Sequence, residues 1–236
     1  FPLVHEIYNF HELREKLEKK GHKFYTNTDT EVIVHLYEEK GVECLNDFNG
    51  MYAFAIWDSN KKRLFLARDS NGMKPLYYYG DVNRFLFASE IKAILQDQRI
   101  KREVDISSFH FYANLRYLPK EKTMFKGIKK LEAGSYVLIE NGKLIKKDME
   151  PRLFHSEENH HENYWLSLVE NALMNAVRRH LISDVPVGIN LSGGIDSSLI
   201  TAFASLCSDE PVKTFCMGFG QEEDEIDDAR IVSDYY

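Results

Sequence analysis

The sequence predicts a layered α+β domain followed by the start of an α/β domain with a parallel sheet. Two patterns carry that expectation. Over residues 6–100, helical periodicity alternates with period-two apolar runs and turn signals. From residue 185, an apolar run enters a glycine turn and leaves as a helix-compatible run, the opening of a βαβ unit. A chain of 236 residues has room for two modest domains, and these patterns place them at residues 1–148 and 160–236.

In chain order, residues 10–20 read as a short charged helix stopped by Gly21. Thr28 and Glu31 have the spacing of a capping box and open a second helix through Val32, Val34, Leu36 and Tyr37. Residues 51–57 are nearly all apolar, so both faces of that strand should be covered. Residues 58–62 form a polar turn, and residues 63–68 return as the hairpin partner. Strands follow near residues 76–79 and 85–88, then a helix capped by Ser89.

Asp105 begins a short helix through Phe111, and residues 119–122 turn. Asn141-Gly142 is the strongest hairpin signal in the chain, between runs at 135–140 and 143–147. Residues 104–150 read as a connecting bridge. The acidic stretch 149–163, with His155, His160 and His161, reads as a flexible linker. Residues 162–181 form an amphipathic pattern with Trp165, Leu168, Val169, Leu173 and Val177 near one face. That helix should lie against the strand that begins at Val185. The next strand is expected at residues 214–219.

Composition narrows the function classes. A net charge of −7 argues against a general nucleic-acid binder, which needs basic surface. No apolar run reaches membrane-spanning length. Cys44, Cys207 and Cys216 are few, scattered and odd in number, which fits the cytoplasm and no disulfide frame. Cys207 and Cys216 are expected as small core filler. The chain starts at Phe1 and not at Met, and ends in a helical pattern with no stop signal, so both ends read as cut.

The chemistry concentrates in Leu191-Ser192-Gly193-Gly194-Ile195-Asp196-Ser197-Ser198. Two glycines allow a tight turn, and Ser192, Ser197 and Ser198 add hydroxyls at its mouth. The following helix start presents unpaired N–H groups and a positive dipole end, so a phosphate is the expected guest. No lysine follows Gly194, which excludes a Walker A loop. Asp196 would repel bare phosphate, so a magnesium pyrophosphate, with Asp196 helping to hold the cation, is the sensible reading. A plain strand–helix turn capped by Ser192 or Asp196 is the alternative.

This string resembles the pyrophosphate loop of the ATP pyrophosphatase superfamily, in which ATP is split to AMP and pyrophosphate to adenylate a substrate. Its lead-in, Arg178-Arg179-His180-Leu181-Ile182-Ser183-Asp184-Val185-Pro186-Val187-Gly188, resembles that of the glutamine-dependent asparagine synthetases, as do Thr214-Phe215-Cys216-Met217-Gly218-Phe219, Asp224-Glu225 and Ala229-Arg230. The first half is similar to the class II glutamine amidotransferase domain. The likeness rests on Glu6-Ile7-Tyr8-Asn9-Phe10, Thr28-Asp29-Thr30-Glu31-Val32, residues 48–58, Arg68-Asp69, Gly72 and Lys74-Pro75-Leu76-Tyr77-Tyr78. The resemblance implies an αββα N-terminal-nucleophile fold for the first domain. For the second it implies an ATP pyrophosphatase-type parallel sheet.

It also implies ATP, magnesium, aspartate and glutamine as cofactors and substrates, asparagine, glutamate, AMP and pyrophosphate as products, and a homodimer at full length. Ser192, Gly193, Gly194, Asp196, Ser197 and Ser198 would meet the pyrophosphate. Leu191 and Met217 match positions that contact the nucleoside, although Met217 is more simply core filler by composition. Glu6 and Asp29 match glutamine-binding positions, and Asp29 is also an ordinary first-turn acid. The family's nucleophile is an N-terminal cysteine, which has no counterpart here. Its Asn-Gly-Glu stands as Val4-His5-Glu6, with no side-chain donor at Val4 for an oxyanion. Asp69-Ser70-Asn71-Gly72 also departs from the bulkier middle usual in the family. Two alternatives stay open: a related adenylating enzyme, such as a β-lactam or peptide-modifying cyclase, and a non-catalytic regulatory homologue. The polypeptide 1–236 is expected to have no glutaminase activity, because the covalent route needs an activated nucleophile. Glutamate release from glutamine above a no-enzyme control overturns that expectation.

Overall fold

In the computed structural model, the described residues are 4–81, 84–140, 143–148, 160–183, 185–218, 220 and 225–236. The expected turn at Asn141-Gly142, most of the linker 149–163, Asp184, Phe219 and Asp224 lie outside them. The chain divides into two compact units, Phe1–Leu153 and Phe154–Tyr236.

The first unit is built on a five-stranded antiparallel sheet. Its strands are β1 (Val4–Ile7), β2 (Gly50–Asp58), β3 (Arg63–Arg68), β7 (Ser135–Glu140) and β8 (Lys143–Asp148), in that spatial order. A second sheet holds β4 (Tyr77–Gly80) between β5 (Phe85–Ala88) and β6 (Ile128–Lys130). The helices are α1 (Phe10–Glu18), α2 (Thr30–Lys40), α3 (Ile91–Ile94) and α4 (Ile106–Leu115).

The period of two in β2 explains the layering. Tyr52, Phe54 and Ile56 share a core with Leu13 and Leu17 of α1 and Val32, Ile33, Leu36 and Tyr37 of α2. Ala53 and Ala55 point the other way and share a core with Leu76, Tyr78 and Leu131 of the second sheet region. The far face of β4, through Tyr77 and Tyr79, packs with Ile94, Leu95 and Ile100 around α3. The order is therefore helix, sheet, sheet, helix, and the apolar stretch Tyr52–Ile56 is covered on both faces, as such a run requires. Trp57, at the end of the run expected to be covered, is instead exposed.

One expectation changes in kind. β7 and β8 pair antiparallel, as the hairpin reading expects, but they are more than a connection. β7 pairs along its whole length with β3 and contributes buried Val137 and Leu138 to the cores on both faces. Alternation alone cannot say which strand a hairpin joins. Local capping also differs. α2 starts at Thr30 with Asp29 at its N-cap, and Glu31 reaches back to residues 25–26 and not to Thr28. Ser89 does not cap α3; Glu90 occupies that position, without a side-chain hydrogen bond. Asp105 does cap α4, accepting from the N–H groups of Ser107 and Ser108, and the helix runs on past Phe111 to Leu115.

The two sheets are tied at a buried corner. Asp69 is 2% exposed, and its carboxylate accepts the backbone N–H groups of Tyr52, Asn71, Met73 and Lys74 at 3.0–3.2 Å. Beside it, the Arg68 guanidinium donates to the carbonyls of Gly72, Lys74 and Leu131 at 2.6–2.7 Å. These bonds fasten the loop after β3 to β2 on one side and to the end of β6 on the other. They also hold the departing Asn71-Gly72 sequence internally.

In the second unit, α5 (Glu162–His180) precedes β9 (Gly188–Asn190), α6 (Ile195–Cys207), β10 (Lys213–Phe215) and α7 (Ile226–Tyr235). β9 and β10 are parallel, with Gly188, Ile189 and Asn190 opposite Lys213, Thr214 and Phe215. The second strand is thus shorter than residues 214–219. Only the C-terminal half of α5 is covered. Val177, Leu173 and Met174 pack with Phe203 and Ala204 of α6, while Trp165, Leu168 and Val169 of the expected buried face are exposed. Cys216 is exposed and Cys207 half-buried, so neither is core filler; the one buried cysteine is Cys44.

Replacing Asp69 by Asn puts an amide NH₂ against backbone N–H donors in a site without water access. Breaking a buried charged cluster of this kind costs about 3–5 kcal/mol. Urea unfolding of Asp69→Asn should show a loss of that order, and a change under about 1 kcal/mol contradicts the assigned role.

Candidate functional site

In the first unit, the strand edge beside the N-terminus and the start of α2 come together. β1 runs against β2 with Glu6 opposite Met51 and Ile7 opposite Gly50. The approach is close: a Cβ on Gly50 would fall 2.1 Å from the Glu6 carbonyl oxygen, so only glycine fits. The Asp29 carboxylate accepts the Ile7 N–H at 2.9 Å. It makes no capping bond to its own helix. The two acids read from sequence, Glu6 and Asp29, are therefore anchored to adjacent backbone positions of one strand.

Two further groups join them. Lys74 Nζ stands 3.9 Å from the Glu6 carboxylate. Tyr8 lies on the same side, its hydroxyl pushed up to about 12 by burial first and by the charges of Glu6 and Asp69 next. It stays neutral at any physiological pH. Sequence reading missed both as site residues. Their places within the Glu6-Ile7-Tyr8 and Lys74-Pro75 strings were the available signal.

The loop that leads to Asp29 is itself fixed. Glu31 accepts the N–H groups of Tyr25 and Thr26 at 2.8 Å and the Thr26 hydroxyl at 2.6 Å. The Thr26 hydroxyl above all, then the Tyr25 N–H, hold the Glu31 carboxyl down at about 2. Cys44 offers no nucleophile here: it is fully buried, and burial raises its thiol to about 12.

In the second unit, the loop between β9 and α6 has the shape its glycines allow. Gly193 has φ +81°, and a Cβ there would lie 2.6 Å from the Asp228 Cβ and 2.8 Å from the Ala229 nitrogen. The start of α7 is thus seated directly on the loop. Ser192 and Ser197 hydroxyls meet at 3.1 Å, and Ser197 also accepts the Ser192 N–H at 3.2 Å. Ser198 donates to the Gly193 carbonyl at 3.3 Å. Three hydroxyls therefore gather at the N-terminus of a 13-residue helix. Gly194 holds the N-cap position and has no side chain of its own to cap with. The Ser192 hydroxyl accepts the Gly194 N–H in a long bond of 3.4 Å, whereas no capping bond to Asp196 is found among the described residues.

Asp196 is exposed in the first turn of α6, and no hydrogen bond to its carboxylate is found among the described residues. An exposed oxygen donor beside hydroxyls and helix N–H groups fits a hard cation such as magnesium that arrives with phosphate oxygens. Leu191 is buried, and its N–H bonds the Phe215 carbonyl at 2.8 Å, locking the loop entry to β10. Met217 is 78% exposed, so it is not core filler. An apolar side chain held out in water just past β10 is available to a flat apolar ligand.

Residues 3–150 match the family "Glutamine amidotransferase domain", and residues 168–236 match "Asparagine synthase". Asparagine synthetase [glutamine-hydrolyzing] 1 of Bacillus subtilis is 38% identical over 227 residues, covering 95% of this chain and 35% of that protein. Asparagine synthetase [glutamine-hydrolyzing] 3 of the same organism is 40% identical over 205 residues, covering 85% and 33%. The chain spans less than half the length of the curated relatives it matches. Among solved structures, a glutamine phosphoribosylpyrophosphate amidotransferase from B. subtilis, complexed with ADP and GMP, aligns with TM-score 0.43 at 18% identity. It covers 91% of this chain and 45% of its own.

The Glu31 bonds make a pH prediction. Its carboxyl is lowered in the fold, so the stabilisation is complete above the ordinary value of 4.5 and is lost as pH falls toward about 2. Hydrogen exchange at Tyr25 and Thr26 should quicken selectively over that window, and Glu31→Gln should flatten the response. Equal acceleration in both proteins removes Glu31 from the explanation.

Proposed function

Since the chain belongs to the glutamine amidotransferase domain family over residues 3–150, with an asparagine synthase segment over 168–236, we propose that its full-length protein is a glutamine-hydrolysing asparagine synthetase. The reaction activates the aspartate side-chain carboxylate with ATP as an acyl-adenylate, releasing pyrophosphate. Ammonia from glutamine then displaces AMP, giving asparagine and glutamate. The single observation that carries the ATP half is the loop 192–198, with its hydroxyls gathered at the start of a helix.

The roles follow from the geometry. The α6 N–H groups and the Ser192, Ser197 and Ser198 hydroxyls take the pyrophosphate oxygens, where the helix dipole favours negative charge. Bound there, magnesium offsets phosphate charge, and Asp196 is the residue to hold it. Exposed Met217 lies against the base, and the Leu191 backbone stiffens the entry. In the first unit, Asp29 takes the glutamine ammonium, and Glu6 lines the same pocket. Lys74 neutralises part of the acid charge, and Tyr8 supplies a neutral hydroxyl. The two domains are assigned to residues 1–148 and 160–236, and the full-length protein to a cytoplasmic homodimer. Among the described residues no helix is long and apolar enough to cross a membrane.

Asp196→Asn in the full-length protein tests the ATP half. Removing a group that stabilises developing charge costs roughly 100-fold in rate. Pyrophosphate release should fall by that order, glutamine hydrolysis should hold, and melting temperature should barely move, since Asp196 is exposed and its carboxylate has no hydrogen bond among the described residues. Unchanged pyrophosphate release sinks the metal role.

A further inference from the structure

Away from the residues given roles above, two histidines and a glutamate converge. His22 lies in the segment after α1, and His35 and Glu38 lie one turn apart on α2. His22 Nδ1 is 3.0 Å from His35 Nδ1, His35 Nδ1 is 3.3 Å from Glu38 Oε2, and His22 Nδ1 is 3.8 Å from the same oxygen. The three atoms all fall within 4.8 Å of one another. A point equidistant from them lies about 2 Å from each, the bond length zinc takes to imidazole nitrogen and carboxylate oxygen.

The outer shell has matching chemistry. His22 Nε2 faces Glu39 Oε1 at 3.1 Å, and His35 Nε2 faces Glu31 Oε1 at 3.5 Å. Glu39 is in turn paired with Lys20. A carboxylate at the far nitrogen can take the ring proton there, which frees Nδ1 as a lone pair for a cation that also claims Glu38. Two such lone pairs and a carboxylate oxygen then lie around one spot. A single proton can satisfy one pair of them; a divalent cation satisfies all three. The histidines are only 15% and 16% exposed, while Glu38 at 59% opens the remaining position to solvent.

We propose that His22, His35 and Glu38 form a zinc site, with water as fourth ligand and Glu39 and Glu31 as orienting carboxylates. Imidazole and carboxylate together suit zinc better than magnesium, which takes oxygen ligands in octahedral geometry. The ion clips the segment after α1 onto α2 and closes the loop that carries Asp29. Its role is to hold that loop.

The test uses the full-length protein without an affinity tag, stripped with EDTA and titrated with Zn²⁺ alone. Calorimetry should show one equivalent more for wild type than for the His22→Gln/His35→Gln double variant, and zinc should raise the melting temperature of wild type only. Glu38→Gln, at an exposed position, should lower affinity without changing the melting temperature in EDTA. Glu39→Gln should weaken binding about 10- to 100-fold through ring orientation. Co²⁺ in place of Zn²⁺ should give the visible absorption of a four-coordinate ion. Equal zinc uptake by wild type and the double variant overturns the proposal. So does a melting temperature that follows pH but ignores zinc, which makes the cluster a protonated histidine pair.

Discussion

The buried Arg68–Asp69 corner is what the first unit is hung on. A carboxylate taken out of water is costly unless its oxygens are met, and here four backbone N–H groups meet them. The neighbouring guanidinium is also desolvated, which lowers its proton affinity, and it spends its donors on three carbonyls. Because those partners sit on β2, on the loop after β3 and beyond β6, one pair of residues sets how the two sheets meet. Lys74, which faces Glu6, leaves directly from that corner.

α2 carries more than its share of the first unit's chemistry. Its inner face supplies Val32, Ile33, Leu36 and Tyr37 to the core. Its N-cap position brings Asp29 to the β1 backbone, and its outer positions Glu31, His35, Glu38 and Glu39 hold the segment that precedes it. A helix anchored by its buried face can hold polar side chains in place at little further entropic cost, since its backbone is already ordered. That is why an exposed loop, residues 22–29, can carry a positioned acid at its end.

The second unit organises its loop differently. The glycine at 193 does more than allow a turn, since it leaves room for α7 to sit on the loop backbone. The hydroxyls satisfy one another and the loop carbonyls, so the loop is ordered before any ligand arrives. Preorganised donors lose little on binding an anion. Asp196, with no hydrogen-bond partner among the described residues, is the contrasting element of the same turn.

Much of this was legible in the residues alone. Periodicity located the main helices and strands, the apolar run from Met51 announced a strand covered twice over Tyr52–Ile56, and the Ser-Gly-Gly string marked the turn between β9 and α6, because each depends on neighbours close in sequence. Resemblance, and not periodicity, supplied the αββα fold and the pairing of Glu6 with Asp29. Tertiary structure alone decided that β7 joins β3, that Glu31 bonds residues 25–26 in place of Thr28, and that the leading half of α5 stays uncovered. It also decided that Tyr8 and Lys74 stand with Glu6, and that His22 meets His35 across 13 positions. The physical reason is common to all of them. Strand partners, reaching side chains and convergent lone pairs are selected by which surfaces the packed layers bring together, and spacing along the chain does not encode that choice.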